Sequence, residues 1–375
     1  MARVLFTSCP AYGHALPMLP LIRAAMRAGH DVRVATGPEL VVPLASRGLD
    51  AHSVGPSWES VWSAHQAVWA EQSLSEEQRM MDGVVALFGT PALARLDDLV
   101  TMAATWPPDI VVHEVLEQAG SMLATRLDIP GIAHGIGPMF PFYAPLIEAA
   151  GAAIGEPQLW EHLSAERAVD ICPPSLQPDG PAPWKATIAL RPDAGEGGRV
   201  PPHVADVLAS GSPIAYFTLG TVKNADASDF VTGLRALAEF DGTVVATTGR
   251  PIDPDELGPL PPNAVIAEFV PQVTVLERAE LLVSHCGSGT MLGGLAHGVP
   301  QVALPRGTDQ PDNAALLARA GAGIVIAPED YSVETIAAAV SNVTRDPSIR
   351  AAAERVRDEI ASMPDADAAW ARLDG

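Results

Sequence analysis

The most chemically suggestive residues of the chain lie in a glycine-rich turn, Ser284-His285-Cys286-Gly287-Ser288-Gly289-Thr290, which follows the apolar run Leu281-Leu282-Val283. A buried strand that runs through glycines into a helix leaves unpaired N–H groups at the positive end of the helix dipole, and this makes an anion site. Gly287 and Gly289 let a phosphate approach the backbone, Ser288 and Thr290 add hydroxyls, and His285 can donate a hydrogen bond at the mouth. The alternative is a tight strand–helix turn with a buried histidine. Rival motifs fail on the same letters. A dinucleotide fingerprint needs glycine where Leu292 stands, a P-loop needs Gly-Lys-Ser/Thr, and a nucleophile elbow on Ser288 needs glycine where Cys286 and Thr290 stand.

The next strand, Gln301 to Pro305, ends in Arg306-Gly307-Thr308-Asp309-Gln310-Pro311-Asp312-Asn313. Adjacent Asp309 and Gln310 offer acceptors and donors for sugar hydroxyls. Taken structurally, the segment is a turn with Asp312 as a helix N-cap. One strand away from a phosphate loop, it reads as a sugar site. Near the N-terminus, Tyr12-Gly13-His14 follows the first strand. An imidazole can take the proton of a hydroxyl whose oxygen attacks, although a histidine at a helix start also serves as a structural hydrogen-bonder. The strings Asp253-Pro254-Asp255 and Asp365-Ala366-Asp367 fall in a Pro-rich loop and in the tail, where they read as solvated acids. No metal and no other cofactor is expected, so the helix start and His285 must offset the charge of a diphosphate.

Alternating strands and helices carry these loops. Val4 to Thr7 reads as a strand, Leu19, Ile22 and Met26 repeat at helical spacing up to Gly29, and Val32 to Ala35 is a second strand. A βαβ unit of this kind implies a parallel sheet. Ile110 to His113 and Gly131 to His134 continue the series, with helices between that include Trp58, Trp62 and Trp69. Residues 173–213 are rich in Pro and Gly and read as a linker. The alternation restarts at Ile214 with strands at 243–247, 265–269, 281–284, 302–304 and 324–326, and after Pro364 the chain closes with a short amphipathic helix. The expected architecture is α/β with two Rossmann-like doubly wound parallel-sheet domains facing a cleft: an N-terminal domain over 1–200, a C-terminal domain over 213–362, and a terminal helix over 363–375 that returns to the first domain.

A length of 375 residues suits two domains. With 23 Lys and Arg against 45 Asp and Glu, the net charge of −22 repels nucleic acid and anionic membranes. No apolar run is long enough to span a bilayer, and the N-terminus lacks the apolar core of a signal peptide. Three scattered cysteines fit a reducing cytoplasm, and nothing supports an oligomer. Trp58, Trp62 and Trp69 with Met80-Met81, and Met139-Phe140-Pro141-Phe142-Tyr143, are clusters against which an apolar acceptor could pack; Phe140 and Phe142 are the named candidates, with core packing as the alternative.

Together, Phe269-Val270-Pro271-Gln272, His285 to Thr290, Gly298-Val299-Pro300, Asp309-Gln310 and Asn313 resemble the donor-binding signature of family 1 glycosyltransferases. The short Val-Pro-Gln form is similar to the bacterial branch that glycosylates antibiotics and other secondary metabolites, and the element order resembles its GT-B architecture. The resemblance implies that Val270 near Gln272 holds the nucleobase, and that His285, Gly287, Ser288, Gly289 and Thr290 hold the diphosphate. It further implies that Asp309 and Gln310 grip the sugar, that Thr221 of Leu219-Gly220-Thr221 adds a phosphate contact, and that His14 is the base. The family orients this histidine with an acid, commonly Asp, at a later strand end; here Glu114 stands there, with Glu117 as a second candidate. The expected activity is an inverting, metal-independent hexosyl transfer from a nucleoside diphosphate, TDP ahead of UDP, carrying a deoxysugar, to a hydroxyl of a lipophilic natural product. Hinge closure over the cleft accompanies it. The rivals are a GT-B nucleotide-sugar epimerase and a non-catalytic auxiliary subunit.

Overall fold

The computed structural model describes every residue except 72–77, 79–81, 84, 181–182, 194, 221–226, 250–256 and 375, and of 68–71 the backbone alone. Thr221, Met80, Met81, Asp253, Asp255 and the Trp69 side chain therefore lie outside the described residues. The chain divides into two compact units, one of residues 1–171, 178–190 and 364–375, the other of 172–177 and 191–363.

The first unit is built on seven parallel strands in the order β3-β2-β1-β4-β5-β6-β7. They are β1 (Arg3–Thr7), β2 (Asp31–Thr36), β3 (Ala51–Ser53), β4 (Ile110–Glu114), β5 (Gly131–His134), β6 (Arg167–Asp170) and β7 (Ala186–Ala189). Helices cover both faces of such a sheet, so its central strands are continuous apolar runs: Val4, Leu5 and Phe6 in β1 and Val111 and Val112 in β4 are all buried. The winding reverses between β1 and β4, and the carboxyl ends of these two strands form the crevice where doubly wound sheets bind ligands. His14, in the helical turn Tyr12–Ala15 after β1, and Glu114, the last residue of β4, both stand there.

The second unit repeats the plan with six parallel strands in the order β10-β9-β8-β11-β12-β13. They are β8 (Ile214–Thr218), β9 (Thr243–Thr247), β10 (Ala264–Ala267), β11 (Ala279–Ser284), β12 (Gln301–Ala303) and β13 (Gly323–Val325). Here the reversal lies between β8 and β11, which places Gly220 and His285 at the crevice.

The stretch 173–213 differs from the linker expected of it. It contains β7 and the helix Pro202–Ala209, and within it the chain passes from the first unit to the second after Leu190. A four-residue edge strand has no apolar run to announce it, and β7 is held by pairing with β6. The terminal helix Ala366–Asp374 belongs to the first unit, where the Trp370 ring lies 6.4 Å from that of Phe6 and 5.2 Å from that of His30. Asp365 accepts from Ala368 N at 2.9 Å and Asp367 pairs with Arg27 at 2.7 Å, so this Asp-x-Asp string caps and anchors a helix. Among the described residues no helix is long and apolar enough to cross a membrane.

Candidate active site

At the crevice of the first unit, His14 Nδ1 lies 2.9 Å from Glu114 Oε2. A carboxylate only accepts, so Nδ1 carries the proton and the lone pair is assigned to Nε2. Glu114 is fully buried, and its other oxygen accepts from Leu116 N at 2.7 Å. Burial by itself would raise this carboxyl, but the pull of His14 in its protonated form, the His14 hydrogen bond and the Leu116 N–H outweigh it and hold the group below its ordinary range.

Glu117, three residues on, is occupied otherwise. It is the N-cap of the helix Gln118–Leu127, where its carboxylate accepts from Ala119 N at 3.1 Å and Gly120 N at 2.9 Å, and Thr7 Oγ1 donates to it at 2.5 Å. His113 faces acceptors at both ring nitrogens, the Glu114 carbonyl at 3.1 Å and Glu166 Oε2 at 2.6 Å. Two acceptors demand two ring protons; burial opposes the charge, but Glu166 prevails and raises the basicity of His113. His134, opposite Glu114 in the β4–β5 register, takes the reverse course. It donates from Nδ1 to the Gly135 carbonyl at 2.7 Å, and burial pushes its pKa down to about 4, so it is neutral.

Aromatic rings flank the His14 imidazole: Trp58 at 6.2 Å and Phe88 at 5.7 Å between centroids, themselves edge to face at 5.9 Å. Phe88 sits in a π-helical turn, Val85–Gly89, a distortion common at functional sites. Phe140 and Phe142 form a separate cluster after β5, stacked at 5.0 Å with Tyr143 edge-on to both. Sequence reasoning did not single out Phe88; no periodicity or spacing relates it to His14.

In the second unit, β11 turns into the helix Ser288–Ala296 through Cys286, which adopts the left-handed φ of 62°. Strain of this kind gathers at sites where geometry matters more than stability. The His285 imidazole lies between Gly220 and Gly287: a Cβ added to either would stand 2.8 or 2.5 Å from Nε2. These glycines are thus required by the histidine as well as by any close-lying phosphate. Burial lowers the basicity of His285, against the opposing pull of Asp309 and the Thr218 backbone. At the helix start, Thr290 Oγ1 donates to Gln272 Oε1 at 3.2 Å, which ties the Val270-Pro271-Gln272 segment to the turn, with Val270 buried beneath it.

The loop after β12 is knitted to that turn. Ser288 Oγ donates to Asp309 Oδ2 at 2.7 Å, so its hydroxyl proton serves Asp309 while its backbone N–H stays at the helix start. Gln310 Oε1 accepts from Arg306 N at 2.9 Å, closing the loop on itself. Arg306 stacks on Tyr331 with 4.5 Å to the ring centroid and pairs with Asp229. Asn313 was not assigned a site role from sequence, yet its buried amide bridges the two loops, reaching Cys286 O at 3.1 Å, Ser288 Oγ at 3.0 Å and Asp309 Oδ2 at 2.8 Å. Its place four residues after Asp309 on one helix face was the available signal.

Both units match known protein families. Residues 23–200 fit the N-terminal domain, and 232–372 the C-terminal domain, of the family described as erythromycin biosynthesis protein CIII-like. The chain is 32% identical to an L-demethylnoviosyl transferase of Streptomyces niveus over 96% of its own length and 95% of the relative's. Among solved structures it resembles the glycosyltransferase SnogD from Streptomyces nogalater, at 28% identity and a TM-score of 0.78 over 99% of this chain and 98% of that one. It also resembles the spinosyn rhamnosyltransferase SpnG complexed with thymidine diphosphate, at 26% identity and a TM-score of 0.82 over the full length of both.

Proposed function

This chain belongs to the erythromycin biosynthesis protein CIII-like family and is a glycosyltransferase, and from that premise we propose an inverting, metal-independent transfer of a deoxysugar from TDP to a hydroxyl of a lipophilic natural product. The observation that carries the reading is the His14–Glu114 pair. With Nδ1–H held by the carboxylate, Nε2 takes the acceptor's proton, and Glu114 stabilises the imidazolium that forms. The acceptor oxygen bonds to the anomeric carbon as the bond from that carbon to the diphosphate breaks in line, which inverts the centre. The departing electron pair resides on the diphosphate, which the start of Ser288–Ala296 and His285 stabilise. Asp309, with Gln310, accepts from sugar hydroxyls, and Trp58 and Phe88 offer the acceptor an apolar wall beside the base. Three buried free thiols suit work in the cytoplasm.

His14→Ala tests the reading. Transfer should fall by roughly 10²–10⁴-fold, the usual worth of a general base, while calorimetry in the presence of a chelator finds TDP affinity unchanged. A variant that transfers at the wild-type rate, or TDP binding that needs a divalent cation, would refute it.

A further inference from the structure

Arg95, on the helix Thr90–Thr105, is only 1% exposed. Among the described residues its one hydrogen bond runs from Nη1 to Cys9 Sγ at 3.7 Å; Nε has no partner, and no carboxylate pairs with the guanidinium. A buried cation without an anion is costly, so its surroundings must supply negative charge in another way. Cys9, buried two residues beyond β1, carries that link. Its Sγ lies within 4.8 Å of both a Glu114 oxygen and a His14 nitrogen. Arg95 N–H thus donates to the Cys9 sulfur, the sulfur adjoins the Glu114 carboxylate, and His14 Nδ1–H donates to that carboxylate.

We propose that Arg95, acting through Cys9, is a positioning residue that keeps His14 unprotonated while Glu114 stays ionised. A neutral imidazole with an ionised Glu114 carries a buried charge of minus one, and the guanidinium balances it. Protonation of His14 would leave an excess positive charge in the same core. Among the described residues, the other titratable groups around the cluster leave this balance intact. Glu117 is held by a helix start and Thr7, His113 is paired with Glu166, and His134 is neutral, while Trp58 and Phe88 bring no charge. Cys9, His14 and Glu114 would also suit a soft divalent cation, but a guanidinium 3.7 Å from the sulfur opposes one.

The inference rests on His14 being the base, but its primary test does not require transfer. In the intact protein, the protonation midpoint of His14 is followed by NMR, its resonance assigned by comparison with His14→Asn. Arg95→Met and Cys9→Ala should each raise the midpoint by about one pH unit, a common size for environmental shifts, and Arg95→Lys, which keeps the charge, should stay near wild type. The acidic limb of kcat/KM should move with it, giving roughly tenfold loss below the midpoint and little on the plateau. Unmoved midpoints in folded Arg95→Met and Cys9→Ala would overturn the proposal and leave Arg95 a packing residue. If Arg95→Met does not fold, Cys9→Ala decides, since it removes the link. A midpoint that shifts while the kcat/KM profile stays fixed would keep this inference and refute His14 as the base.

Discussion

Replacing Glu114 with Gln removes one charge and leaves the shape, and the surroundings dictate how the amide must sit. Leu116 N–H points at one carboxylate oxygen at 2.7 Å, so the amide oxygen takes that place and the NH₂ group turns to His14. Two donors then face each other unless the imidazole changes tautomer, and the change moves its lone pair from Nε2 to Nδ1, away from the acceptor. The imidazolium formed during attack also loses its counter-charge. For charge centres about 4 Å apart and an effective dielectric of about 20, that amounts to about 4 kcal/mol, or about three powers of ten in rate. The assay is kcat/KM for the best donor and acceptor found by screening, with TDP affinity and thermal unfolding as controls. Glu114→Asp, about one methylene short, should lose less. A Glu114→Gln enzyme that transfers at the wild-type rate with its fold intact would refute the dyad and return attention to Glu117.

Glu117→Ala should cost about 1–2 kcal/mol of stability through loss of a helix cap, seen by urea unfolding, with kcat preserved; a large loss of kcat would show a catalytic part. Gly287→Ala places a methyl group 2.5 Å from His285 Nε2 and should match His285→Ala in calorimetry with TDP, each weakening binding by about 1.5–3 kcal/mol, whereas unaltered binding would remove His285 from the diphosphate site. His134 is neutral when folded, with its pKa pushed down from 6.5 to about 4, so the unfolded chain binds the extra proton. Its contribution to stability is complete above pH 6.5 and is lost as the pH falls toward 4, on the order of 3 kcal/mol in all. His134→Asn, which keeps a donor for the Gly135 carbonyl, should flatten stability over that window, and an unchanged slope would contradict the assignment.

Signals local in the chain were legible without the structure. The runs Val4–Phe6 and Leu281–Val283 announced buried strands because a parallel sheet is covered on both faces, and the glycines after Ser284 announced a helix start with free N–H groups. Placing His14 in the first unit and His285, Asp309 and Gln310 in the second at strand ends needed only the βαβ order, since that order decides which loops stand at the crevice of each unit. Tertiary structure decided what depends on direction and on distant segments. Glu114 and Glu117 are three residues apart and chemically alike; the first ends β4 beside His14, and the second turns back onto the helix start it caps. Phe88 meets His14, Arg95 meets Cys9, and β7 becomes a strand only where another part of the chain supplies the partner. Periodicity reports the face of an element that is buried; which side chains meet across a crevice follows from packing between segments far apart in the chain.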